Sequence, residues 1–283
     1  MPVNRQIHLK SRPDGTPTAE NFELVTAAVP NPDDGQLLIR NLWMSVDPYM
    51  RGRMSDRKSY VPPFKVGRVL NGAAIGEVVE SKHSDFAAGD LVSHMSGWRE
   101  YAINNGQYIE KLPTGAANPE LYLGLFGTTG LTAWFGLFDV ASLRQGETVF
   151  VTAAAGAVGS AACQIARVKK CRVIGSCGSD DKAEWLRKEL GVDDVINYRT
   201  CGDLAVSLGD AAPDGIDVCF ENVGGDHLEA ALGNMKPFGR IAVCGMIGAY
   251  NAPGGSEQVN NLVEIIARRI TMTGFLLMDF EER

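Results

Sequence analysis

The sequence has 283 residues, 45% of them apolar and 22% charged, which fits an ordinary globular chain with room for two modest domains. Its formal net charge of −7, with Lys and Arg scattered rather than clustered, argues against a nucleic-acid surface and favours small-molecule partners. No apolar run reaches membrane-spanning length, and the opening MPVNRQIHLKSRPDG has no apolar core of the signal-peptide kind, so no membrane partner and a cytoplasmic location are expected.

Up to about residue 120 the chain reads as short strands broken by Gly, Pro, Asn and Asp: GQLLIRNLWMSV (35–46), GAAIGEVVES (72–81), GDLVSHMSGWREYAIN (89–104) and YIEKLP (108–113). That texture predicts an irregular β-rich domain over residues 1–120. From residue 121 onward, strand and helix patterns alternate. ETVFVTAA (147–154) is a continuous apolar run, AVGSAACQIARVKK (157–170) carries small and apolar residues at helical spacing, CRVIGS (171–176) is a second strand and KAEWLRKEL (182–190) a second helix. Further strands are predicted at 194–198, 216–223, 240–245 and 270–277. Alternation of this kind predicts an α/β domain over 121–283, a doubly wound parallel sheet with helices on both faces.

Between the first strand and first helix of that second domain lies Ala153-Ala-Ala-Gly156-Ala-Val-Gly159. Gly156 at the tight turn lets backbone approach a pyrophosphate, and the following helix N-terminus offers free N–H groups and a positive dipole end. Gly159 allows close packing of helix and strand. The motif is a variant of G-x-G-x-x-G with Ala at the first glycine, and its strand-turn-helix-strand setting gives it weight as a dinucleotide site.

The next strand ends in VIGSCGSDDK (173–182), where an NAD-selective site carries an Asp or Glu for the ribose 2′-hydroxyl. Ser176, Cys177 and Gly178 stand there instead, followed by Ser179 and, one turn later, Lys182. Absence of the carboxylate, with hydroxyl and cationic donors close by, favours the 2′-phosphate of NADP. Asp180 and Asp181 complicate this: they serve the dipole of the helix that Ser179 caps, or one of them reaches a ribose.

The six cysteines (163, 171, 177, 201, 219 and 244) show neither C-x-x-C spacing nor an adjacent histidine, and the four histidines are dispersed. Reduced packing thiols and no metal are expected.

Several stretches together resemble the zinc-independent medium-chain dehydrogenase/reductase group of leukotriene/prostaglandin reductases, alkenal double-bond reductases and curcumin reductases. They are NLWMSVDPYMRGRM (41–54), GTTGLTAWFGL (127–137), AAAGAVGS (153–160), SCGSDDK (176–182), NY (197–198), FENVGG (220–225) and CGMIGAYN (244–251), in family order along almost the whole chain. The curcumin reductase branch is most similar, through SVDPYMRGRMSD and SGW.

The resemblance implies a GroES-like catalytic domain joined to a Rossmann domain, with NADPH in the cleft between them and hydride transfer to the β-carbon of an α,β-unsaturated ketone or aldehyde. Carried over by position, it implies Lys182 and Tyr198 at the 2′-phosphate, with Ser179 beside them. Gly156, Ala157 and Val158 fall at the pyrophosphate turn and Asn222 near the nicotinamide half, with Thr129 and Cys244 as further cofactor contacts. Thr128 and Thr129 stand where the family often has Met-Pro. Tyr250 and Tyr49 match tyrosines bordering the substrate pocket, and Tyr250 is the preferred donor to the substrate oxygen. Arg51 and Arg53 read equally well as partners of surface acids. Relatives run on past the point where this sequence stops, so part of the first domain's sheet is expected to be missing. A homodimer paired through a last strand within 259–277 is also implied. Quinone reduction within the same superfamily, or NADP binding without turnover, are the alternative readings.

Overall fold

The computed structural model describes residues 2–252 and 258–280. The chain divides into two compact units, Met1–Leu123 and Gly124–Arg283.

In the first unit, β1 (Val3–Leu9) and β2 (Phe22–Ala28) form an antiparallel hairpin. It was not among the strand patterns read from the sequence. β3 (Leu37–Met44) is followed by the short helix α1 (Tyr49–Arg53), and then come β4 (Ala74–Ser81), β5 (Leu91–His94), β6 (Tyr101–Asn104) and β7 (Ile109–Lys111). The sheet order is β6-β3-β4-β5-β7, antiparallel throughout. Leu37, Ile39, Val78 and Val92 are fully buried in one cluster, and α1 delivers Met50 into a second with Leu9, Phe64 and Leu70. The predicted strand over 89–104 is two strands, because the chain turns through Ser96–Arg99 with Trp98 in the left-handed region at φ 61°. Asn41 braces that turn, its amide donating to the carbonyls of Ser96 (3.0 Å) and Arg99 (2.8 Å).

The second unit opens with α2 (Thr128–Phe135) and continues β8 (Thr148–Val151), α3 (Ala157–Val168), β9 (Arg172–Cys177), α4 (Asp180–Lys188) and β10 (Asp194–Asn197). Then follow α5 (Leu204–Ala211), β11 (Ile216–Glu221), α6 (Gly225–Asn234), β12 (Met235–Val243), α7 (Val263–Arg268) and β13 (Thr271–Gly274). All six strands are parallel, in the order β10-β9-β8-β11-β12-β13. Both faces of this sheet are covered, which is why its central strands read as continuous apolar runs. Val149 and Val151 pack with Ala161, Ala162 and Ala166 of α3 on one face, while Phe150 and Ile174 pack with Leu208 of α5 and Leu228 of α6 on the other. β12 starts five residues before its predicted start, with Phe238 at φ 64° and a register shift against β11 near Ile216. Among the described residues no helix is long and apolar enough to cross a membrane.

Candidate functional site

In a sheet ordered this way, the chain runs outward from β8 through β9 to β10 on one side and from β11 through β12 to β13 on the other. The switch lies between β8 and β11, and a ligand crevice forms at the carboxyl ends of the strands at such a point. Both ends here carry the motifs singled out in the sequence.

Past β8 the chain makes a tight turn at Ala153, which takes φ 48° without being a glycine, and the Gly156 N–H donates to the Ala153 carbonyl at 2.9 Å. The Ala154 N–H donates to the Ser176 carbonyl at 2.8 Å, tying the turn to β9. A Cβ on Gly159 would stand 2.3 Å from the Ala153 carbonyl oxygen and 2.9 Å from the Ala154 Cα, so the first turn of α3 lies on the backbone of the loop before it.

At the end of β11 the Glu221 side chain is fully buried. Its Oε1 accepts from the Thr152 hydroxyl (3.0 Å), the Val223 N–H (2.6 Å) and the Gly224 N–H (2.8 Å). The Thr152 hydroxyl accepts from the Asn222 N–H (2.7 Å), and the Asn222 amide donates to the Thr152 carbonyl (2.7 Å). Burial pushes the Glu221 carboxyl above the usual carboxylate range, and the hydrogen bonds from Gly224, Val223 and Thr152 pull the other way. The clamp therefore fixes the two strand ends against each other across the switch point. Sequence reasoning missed Glu221 and Thr152, since nothing local in FENVGG or VTAAAG marks a pairing some 70 residues apart.

These ends open on a cavity of about 1100 Å³, lined by Ala153 and Gly156 at the turn, Gly178, Lys182 and Tyr198 at the far strands, and His227 of α6, among others. The Tyr198 phenol lies so close over Gly178 that a Cβ there would meet its oxygen at 2.7 Å. Asp180 does not line this cavity, and its carboxylate accepts from the Asn197 amide at 2.7 Å. That contact is local, within the turn and helix that Asn197 and Ser179 begin.

Gly156, Lys182 and Tyr198 are thus the sequence-predicted residues that share one wall. Ala157, Val158 and Gly159 form the first turn of α3, directly after Gly156. Ser179 is the N-cap of α4, its hydroxyl accepting from the Lys182 N–H at 3.4 Å. Asn222 serves the clamp through its backbone N–H and side-chain amide. Cys244 follows β12, its thiol pushed up to about 12 by burial and by Glu221, and its N–H donates to the Glu221 carbonyl at 2.8 Å. Thr129 stands in α2 and is not on the cavity wall.

Tyr250 ends the short turn Ile247–Ala249, and its hydroxyl accepts from the Met246 N–H at 3.4 Å, leaving its own proton to donate. Burial, the largest cause, raises the phenol above its usual range, so it stays protonated near neutrality. In the first unit Tyr49 opens α1, with its hydroxyl buried and without a hydrogen-bond partner among the described residues. Burial raises its phenol as well; Asp47 adds to the effect and nearby Arg53 opposes it. The Arg53 guanidinium is occupied by the Pro62 carbonyl (2.9 Å) and Asn71 (2.7 Å).

The wall chemistry suits an elongated ligand with two anionic points: backbone at the start of α3 for one, the Lys182 ammonium and Tyr198 phenol for the other. The volume slightly exceeds the roughly 300–1,000 Å³ of ordinary small-molecule pockets. Among the described residues, no group of three or more His, Cys, Asp or Glu is placed to hold a metal ion.

Comparison with known proteins gives the family. Residues 5–112 match the family model described as the N-terminal domain of oxidoreductase, and residues 157–283 match the zinc-binding dehydrogenase model. The NADPH-dependent curcumin reductase of Escherichia coli K12 is 41% identical over 278 residues, 97% of this chain and 80% of that protein. The NADP-dependent 2-alkenal reductase of Nicotiana tabacum is 43% identical over 282 residues, 98% of this chain and 82% of that protein. Among solved structures, CurA from Vibrio vulnificus in complex with NADPH superposes with a TM-score of 0.93 at 40% identity, covering 98% of this chain and 83% of that one. The chain belongs to the medium-chain dehydrogenase/reductase family, in the group that holds the curcumin and 2-alkenal reductases.

Proposed function

We propose that the chain catalyses NADPH-dependent reduction of the C=C bond of α,β-unsaturated ketones or aldehydes. The observation that carries the reading is the cavity at the switch point, with Lys182 and Tyr198 on its wall and Asp180 held to Asn197. It is supported by likeness to reductases whose names specify NADPH or NADP and by the NADPH complex of CurA. Gly156, Ala157 and Val158 take the pyrophosphate at the start of α3; Lys182, Tyr198 and Ser179 take the 2′-phosphate. Asn222, Cys244 and Thr129 remain the positions assigned to the rest of the cofactor, the first two at the carboxyl ends of β11 and β12.

Bound NADPH supplies the hydride for the β-carbon. Negative charge then develops on the substrate carbonyl oxygen, where a phenol held protonated by burial stabilises it by donating a hydrogen bond, and the α-carbon takes up a proton from that phenol or from solvent to complete the reduction. Tyr250 fits this role because its hydroxyl accepts from Met246 and keeps its proton free. Tyr49, with a buried hydroxyl lacking a partner, is the second candidate. The six free thiols support the cytoplasm as the compartment, and the exposed edge strand β13 supports pairing of two copies, which sedimentation checks.

The test is NADPH oxidation with a 2-alkenal, an α,β-unsaturated ketone and a quinone side by side. Stoichiometric oxidation with the first two is expected. Turnover of quinone alone would replace this reading with a quinone reductase, and cofactor binding without turnover of any of the three would leave only a nucleotide-binding protein.

A further inference from the structure

His227 belongs to no motif, yet it lines the same cavity from α6 and is only 7% exposed. Its Nε2 is buried without a hydrogen-bond partner among the described residues, a placement that costs stability unless the ring is doing something else. What it touches is Tyr198: the two rings meet edge to face, with centroids 4.8 Å apart and planes at 77°. On its other side the Tyr198 phenol lies against Gly178, where even a methyl group would collide with the hydroxyl oxygen. Tyr198 is therefore an exposed aromatic on a loop, lying between a missing side chain and a buried imidazole. Its backbone N–H is fixed as well, donating to the Cys177 carbonyl at 3.1 Å.

We propose that His227 is a positioning residue for cofactor selectivity: its ring fixes Tyr198 so that the phenol hydroxyl stays beside Gly178 on the Lys182 wall, ready for a 2′-phosphate. The inference rests on the reading that Lys182 and Tyr198 take that phosphate. Burial lowers the imidazole below its usual range, so it packs as a neutral ring. An edge-to-face aromatic contact needs the ring, not its nitrogens, and that separates two substitutions. His227→Ala removes the contact, whereas His227→Phe keeps it and also relieves the unpaired nitrogen.

The experiment measures binding of 2′,5′-ADP and of 5′-AMP by calorimetry to wild type and to both variants, with a melting curve for each. His227→Ala is expected to weaken 2′,5′-ADP by about tenfold relative to 5′-AMP, and His227→Phe to hold the wild-type ratio within about threefold. A ratio unchanged in His227→Ala, or lost equally in His227→Phe, overturns the proposal. Wild type binding both nucleotides equally overturns the 2′-phosphate reading itself, so the two failures are told apart.

Discussion

The Asn197 side-chain amide donates to the Asp180 carboxylate at 2.7 Å, joining the end of β10 to the first turn of α4, and neither residue lines the cavity that Lys182 lines. Asn197 Oδ1 also accepts from the Arg199 N–H at 3.1 Å, and its carbonyl accepts from the Thr200 and Cys201 N–H groups, so Asn197 organises the turn that carries Tyr198. Asp180→Ala should therefore leave the NADPH-to-NADH ratio of kcat/KM within about twofold and cost about 0.3–1 kcal/mol of stability, the usual value of one acid in a first helical turn. A gain in NADPH preference of tenfold or more would mean that Asp180 does face the ribose.

Lys182 is exposed, so its charge acts through water. A charge-assisted contact of this kind contributes about 1.5–3 kcal/mol, and screening brings it towards the lower end. Lys182→Ala should raise KM for NADPH by about tenfold, leave KM for NADH unchanged, and lose most of its effect at high salt. Equal losses for both cofactors would show that Lys182 shapes the pocket instead of reading the phosphate.

Much of the second unit was legible because its strands are buried on both faces and its punctuation is glycine. Runs such as TVFV and VIGSC, short, apolar and rich in β-branched residues, read as strands buried on both faces, and Gly156 and Gly159 mark the turn between β8 and α3. Two left-handed turns carried by other residues, Ala153 and Trp98, leave no such mark, and the second of them hid the break between β5 and β6. The expectation of NADP, which the relatives' names support, came from the missing carboxylate at Cys177–Gly178. The Glu221 clamp and the His227 contact did not show, because each is made by residues distant in the chain whose types are ordinary for their positions.

Gly159 offers a steric test of the turn. An added Cβ would meet two backbone atoms that cannot swing away, so Gly159→Ala should cost about 1–3 kcal/mol and weaken NADPH binding with it. Gly52 in α1 is the control, with nothing within 4 Å of its Cβ position; Gly52→Ala should be neutral or stabilising by up to about 1 kcal/mol. Denaturant midpoints of the two variants check this, and equal stability would refute the close approach at Gly159.

For Glu221 the two substitutions to compare are Gln and Leu. Oε1 receives all three short hydrogen bonds, whereas the Cys219 thiol lies 3.8 Å from Oε2. Glu221→Gln can keep its carbonyl at Oε1 and place its amide towards the thiol, so a loss of about 1 kcal/mol is expected. Glu221→Leu strands two backbone N–H groups and the Thr152 hydroxyl in a fully buried place, and should cost about 3 kcal/mol or more. Urea unfolding orders the pair, and a leucine variant as stable as wild type would falsify the clamp.

The first unit holds a group, His94, whose pH dependence is large enough to follow. His94 is buried at 3% exposure, and its ring nitrogens are both engaged: Nδ1 accepts from the Ser96 N–H at 3.1 Å, which assigns the proton to Nε2, facing Asn41 Oδ1 at 2.9 Å. Burial, with Arg99 adding to it, pushes the imidazole down from 6.5 to about 4. The unfolded chain therefore takes up a proton at His94 before the folded chain does, so the stabilising contribution is complete above about pH 6.5 and is lost as pH falls towards about 4. Across that window the loss amounts to about 3 kcal/mol. Unfolding free energies at neutral and mildly acidic pH should show this fall in wild type and a shallower one in His94→Gln, which cannot titrate. Parallel slopes in the two proteins would place the acid sensitivity in the carboxylates rather than in His94.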